Sequence, residues 1–135
     1  MRILALVIAV YTPVMLLIHL STTKILRAWN EQSDSRISRW FTPRRALRVE
    51  GVFWLLALAA WPLWQPLVWK VLVVIFALVH LGIWGADEFT PNREKGPAFT
   101  ASPTVKRIIV IFDSAEAFVL AALGVVTVLY LIHSG

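Results

Sequence analysis

The chain has 135 residues, 59% of them hydrophobic, with a mean hydropathy of +0.73 and a formal charge of +5. Soluble domains are about 45–50% apolar; the excess here lies in four blocks that are apolar nearly all round, which argues against a soluble bundle with polar stripes. Lack of cysteine excludes disulfides, thiolate metal sites and thiol nucleophiles, and the basic residues sit in two interhelical loops, so the charge is a topology signal and no nucleic-acid partner is expected.

The first apolar block covers residues 3–20 and continues towards Trp29 as an interfacial helix. It follows Arg2 as a secretory signal would, but it ends Ile18-His19-Leu20-Ser21-Thr22-Thr23-Lys24, without the small-residue cleavage site that a signal requires. An uncleaved span is the expectation. The loop 21–42 then interleaves Arg36 and Arg39 with Ile37, Trp40 and Phe41, the pattern of a segment lying in the membrane interface. Together with Arg44 and Arg45 it forms a candidate patch for lipid headgroups.

The second block, 43–61, starts at Thr42-Pro43, a hydroxyl N-cap followed by proline at the first helical position. Only Pro62-Leu63-Trp64-Gln65-Pro66 separates it from the third block, 67–85, so these two spans are expected to be antiparallel neighbours. The loop 86–104 holds three prolines and Gly96 between Pro91 and Pro103, which breaks any helix there. The fourth block, 105–132, is the longest. A span needs about 20 mostly apolar residues and must satisfy its backbone internally, so each block is predicted helical. The expected fold is all-α: one domain over residues 1–135, a polytopic antiparallel bundle of four transmembrane helices.

Eleven of thirteen Lys and Arg residues fall in loops 21–42 and 86–104 or at their rims, leaving only Arg2 and Lys70 on the other side. The positive-inside rule makes those loops cytoplasmic. The expected location is a bacterial inner membrane with both termini in the periplasm. Trp61, Trp64 and Trp69 are expected as outer interfacial anchors, and Trp29, Trp40 and Trp84 as inner ones.

The halves also align. Leu17-Ile18-His19-Leu20 matches Leu78-Val79-His80-Leu81, and Thr42-Pro43 matches Ser102-Pro103. Each proline is followed by basic residues and then an acid, Glu50 or Asp113, as two duplicated helical hairpins in parallel would give.

Ionisable residues inside a span are costly and mark candidate sites. At 1.5 Å per residue, Glu50, His80 and Asp113 lie about 10 Å from the cytoplasmic helix ends, Glu116 about 4 Å deeper, and His19 about 7 Å in. All five fall in the same half of the membrane. Glu50, His80, Asp113 and Glu116 form the candidate proton or cation cluster. His19 is read as an interfacial residue or, with His80, as an axial pair for haem b or a ligand for a divalent metal. A quinone or headgroup site is a third reading. Bland alternatives pair Glu50 with Arg48 and Asp113 with Lys106 or Arg107.

The size and layout resemble the glutathione-handling membrane enzymes of eicosanoid metabolism, although only Arg48 and Glu50 remain of their second-span signature. Ile111-Phe112-Asp113 with Glu116 is similar to the Phe-Asp-x-Glu stretch of a small respiratory complex I subunit, with different spacing and without that family's loop cysteine. Neither resemblance assigns a family. No soluble-enzyme motif is present. The expected function is a non-catalytic subunit or accessory of a larger membrane complex, or a homo-oligomer, because four short spans make little protected interior for five ionisable groups. A small proton- or cation-coupled transporter and a haem- or quinone-binding electron-transfer anchor are the alternatives.

Overall fold

The computed structural model describes residues 1–30, 39–89 and 102–134, and these are helical without strands. In chain order the helices are α1 (Arg2–Leu20), α2 (Thr22–Asn30), α3 (Pro43–Ala59), α4 (Leu67–Glu88) and α5 (Pro103–His133), with a single 3-10 turn, Trp61–Leu63, after α3. Three of them, α1, α4 and α5, are long and apolar enough to cross a membrane. α3 is not: it has 17 residues, and Arg44, Arg45 and Arg48 occupy its first turns. It therefore ends at Ala59, short of the expected residue 61, while α4 continues past the expected 85 to Glu88.

Local chemistry sets the helix ends. Pro43 opens α3, and the Thr42 hydroxyl accepts the Arg45 backbone N–H at 3.4 Å, satisfying one of the orphan donors of the first turn. Ser102-Pro103 opens α5 in the same way but makes no side-chain cap bond. α1 runs through Pro13 and stops at Leu20. The chain turns at Ser21 and restarts as α2, and the Thr22 hydroxyl oxygen lies 2.9 Å from the His19 carbonyl. α2 buries Ile25, Leu26 and Ala28 and turns Lys24 and Arg27 outward, as an interfacial helix does.

α1 lies antiparallel along α5, and α3 antiparallel along α4. Small residues let both pairs approach closely. A Cβ on Gly51 would stand 2.2 Å from Trp84 Cε3, and one on Gly124 would stand 3.0 Å from Thr12 Cγ2. Between the pairs sits a core that includes Ile8, Met15, Phe53, Trp54, Phe76, Leu120 and Leu123. Large apolar side chains such as Ile3, Leu17, Leu78, Ile111 and Phe118 face outward, which suits hydrocarbon as the surrounding solvent.

One end of the α3–α4 pair is tied by ions: Arg48 holds Glu88 through Nη2 at 2.8 Å, and Arg44 Nε lies 3.2 Å from Asp87, which is buried. At the opposite end Trp64 departs from its expected role as an interfacial anchor. It is fully buried, because its indole N–H donates at 2.7 Å to the Ala57 carbonyl, which the ending helix leaves free. Trp40 and Trp61 are exposed at the two ends, as anchors would be.

Candidate functional site: a buried histidine–carboxylate cluster

Glu116 is at the centre of the site. It occupies the buried face of α5 that continues through Leu120, Leu123 and Thr127, and its side chain is 0% exposed. Three helices reach it. His19 from the end of α1 places Nε2 3.2 Å from Glu116 Oε1, and His80 from α4 places Nε2 3.2 Å from Oε2. Trp54 from α3 donates its indole N–H to Oε1 at 2.9 Å.

The chain of contacts extends outward in both directions. His80 Nε2 also lies 3.7 Å from Glu50 Oε2, and His19 Nδ1 lies 3.5 Å from Asp113 Oδ2. The Thr22 hydroxyl donates to the same Asp113 oxygen. Glu50, His80, Glu116, His19 and Asp113 thus form one continuous series drawn from α1, α3, α4 and α5.

The structure therefore groups the four residues expected to cluster and adds a fifth. His19 is an interior residue, 5% exposed, with its imidazole facing Glu116, Asp113 and the His80 ring. The bland pairings are not made. Arg48 points along α4 to Glu88 and leaves Glu50 to His80, while Asp113 turns inward to Thr22 and His19 rather than back along its own helix.

Of the candidate headgroup arginines, Arg44 is engaged by Asp87 and Arg45 donates to the Trp40 carbonyl at 2.7 Å. Arg39 lies at the exposed rim, and Arg36 lies outside the described residues, as does Ile37. Sequence reasoning missed Trp54 and Thr22. Trp54 stands one turn beyond Glu50 on the buried face of α3, and that spacing is the only signal it gave.

The residues do not fit a bis-histidine haem. The imidazole rings are 6.3 Å apart and perpendicular, but their Nε2 atoms address the two oxygens of one carboxylate, which fills the place iron would need. Trp54 and Phe112 also pack within 6 Å of the His80 ring, leaving no slot for a macrocycle. A metal ion fits better: His19, Asp113 and Glu116 offer ligand atoms that all lie within 4.8 Å of one another.

The hydrogen positions are constrained. His80 Nδ1 lies 2.8 Å from the Phe76 carbonyl, which can only accept, so Nδ1 carries a proton. If the ring is neutral, Nε2 is a lone pair facing a carboxylate oxygen. Two acceptors at that distance repel unless positive charge lies between them. Among the described residues, both ring nitrogens of His19 and Oε2 of Glu116 are buried without an aligned hydrogen-bond partner, although they stand within ion-pairing distance of one another's side chains.

Above the cluster, on the side of α2, opens a cavity of about 270 Å³. Ile25, Trp29, Phe41, Val79, Ile108 and Phe112 make apolar walls, and Thr22, Glu50, His80 and Asp113 supply its polar lining. Glu116 and His19 lie behind these groups.

No family model matches the chain, and no characterised protein or solved structure is significantly similar to it. The site is therefore interpreted from its own chemistry.

Proposed function

We propose that this is a small four-span bacterial inner-membrane protein that takes a cation from the cytoplasmic side into a buried histidine–carboxylate centre. The carrying observation is His80. Its Nδ1 proton is committed to the Phe76 carbonyl, and its Nε2 faces fully buried Glu116 at 3.2 Å, an arrangement that needs positive charge. Three carboxylates meet two imidazoles here: Glu50, Asp113 and Glu116 each face His19 or His80. A bound cation offsets that excess of negative charge in a low-dielectric interior.

Four spans are proposed because α3 runs antiparallel beside α4 along its length. Ion pairs to Asp87 and Glu88 fix one end, and the buried Trp64 follows the other. A helix that accompanies a spanning neighbour from end to end crosses with it. The basic residues then place α2, the cavity mouth and both long loops in the cytoplasm, and both termini in the periplasm. The two histidine–acid contacts, His19–Asp113 and His80–Glu50, each join one hairpin to the other, which suits a duplicated origin.

The chain itself buries Glu116, His19 and His80, which supports a site that needs no partner subunit for its walls. Coupling of the bound cation to transport is accordingly favoured over service as a non-catalytic accessory. The test is unfolding of the purified protein with Na⁺, Mn²⁺, Zn²⁺, Co²⁺ or tetramethylammonium added in turn. A ligand at a hundred times its Kd stabilises the native state by about 2.7 kcal/mol. Stabilisation by at least one cation, lost in Glu116→Gln, is the expected result. Curves that no cation moves would overturn the reading.

A further inference from the structure

We infer that the cation is a divalent transition metal ligated by His19, Asp113 and Glu116, whose ligand atoms all lie within 4.8 Å of one another; this rests on the cation site proposed above and names its occupant.

The first argument is alignment. A shared proton requires its donor to aim at the acceptor, and hydrogen bonds weaken steeply below about 120°. His19 Nε2 lies 3.2 Å from Glu116 Oε1, yet neither nitrogen of His19 has an aligned partner. Two atoms bound to one ion at about 2.1 Å each, with an angle near 100° between them, are roughly 3.2 Å apart and do not point at one another. Close but misaligned contact is what coordination gives.

The second argument is the support behind the carboxylates. Groups that hydrogen-bond a metal ligand fix its orientation and are part of a metal site. Asp113 accepts from the Thr22 hydroxyl, and Glu116 accepts from the Trp54 indole N–H.

The donor set then selects the ion. An imidazole with two carboxylates suits Zn²⁺, Mn²⁺, Fe²⁺ or Co²⁺, whereas the lack of cysteine disfavours ions that need soft sulfur ligands. Ca²⁺ and Mg²⁺ prefer all-oxygen sites. The cavity lined by Glu50, His80 and Asp113 supplies the entry path that a buried site requires.

The experiment is a titration of the complete, chelator-treated chain in detergent with Co²⁺ alone, followed by its visible ligand-field absorption. The expected result is a band that saturates at one Co²⁺ per chain and is displaced by Zn²⁺. Glu116→Gln and Asp113→Asn, which each neutralise a ligand carboxylate, should each weaken binding by about 100-fold or more. Glu88→Gln, in an ion pair away from the cluster, should bind as the wild type does. Circular dichroism checks that each variant is folded, and if Glu116→Gln is not, Asp113→Asn decides. No band with the wild type, or unchanged affinity in the folded variants, overturns the metal. If Co²⁺ fails while Na⁺ or tetramethylammonium still stabilises in a Glu116-dependent way, the metal is wrong and the cation site stands. If none of them acts, both fall.

Discussion

The indole N–H of Trp54 donates to Glu116 Oε1 at 2.9 Å, joining positions 62 residues apart and locking α3 to α5 through the centre of the cluster. The same indole stacks on Phe76 and on His80, so one side chain both orients the carboxylate and packs against one of its histidines. Trp54→Phe keeps an aromatic ring but removes the N–H donor together with part of a fully buried indole, so the donor's share is read from the difference between the wild-type and Glu116→Gln backgrounds. Hydrogen bonds to charged groups contribute about 1.5–3 kcal/mol. A loss of that size is expected in reversible unfolding, and it should shrink in a Glu116→Gln background. Unfolding indistinguishable from wild type would mean that the N–H is not holding the carboxylate.

The contact between His80 and Glu116 is open to a double-mutant cycle. Removing one member of a buried pair leaves the other uncompensated and typically costs about 3–5 kcal/mol. Glu116→Ala and His80→Ala should each destabilise the protein, and the double variant should cost clearly less than their sum. Strict additivity would show that the 3.2 Å approach carries no interaction.

Close approach of α3 and α4 depends on Gly51, where an added Cβ would stand 2.2 Å from the Trp84 ring. Gly51→Ala is expected to destabilise by about 1–3 kcal/mol, the usual range for overpacking. Gly82 has nothing within 4 Å of the corresponding position, so Gly82→Ala should be neutral or slightly stabilising. Equal effects of the two substitutions would contradict the packing of Trp84 on α3.

Orientation is tested with reporters. A periplasm-dependent enzyme fused at the C-terminus should be active, and one inserted near Gly96 should be inactive, while a cytoplasm-dependent reporter should show the reverse. The motive is the concentration of eleven of thirteen basic residues in the two long loops and their rims. The opposite pattern would invert the sidedness of the cavity and of the cluster.

Helical class and three helices long and apolar enough to cross a membrane were legible in the sequence because hydrocarbon imposes a local rule. A segment that crosses must be long, apolar and internally hydrogen-bonded, and each condition can be read residue by residue. The helix starts at Pro43 and Pro103 were legible for the same reason, since a cap is chemistry between near neighbours. Axial position was legible too: a fixed rise of 1.5 Å per residue put His19, Glu50, His80, Asp113 and Glu116 at similar distances from one set of helix ends before any packing was known.

Direction around each helix axis was not legible, and it decided everything about the site. Apolar residues on all sides give a span no preferred face. His19 therefore read as interfacial, and Arg48 as the partner of Glu50. Only the packing of α1 on α5 and α3 on α4, set by close approaches at Gly124 and Gly51, turned His19 and Trp54 towards Glu116 and sent Arg48 to Glu88. Likewise, whether four helices suffice to bury five ionisable groups depends on how tightly their side chains interlock. That is a property of the assembled bundle, and the sequence contains no local signal for it.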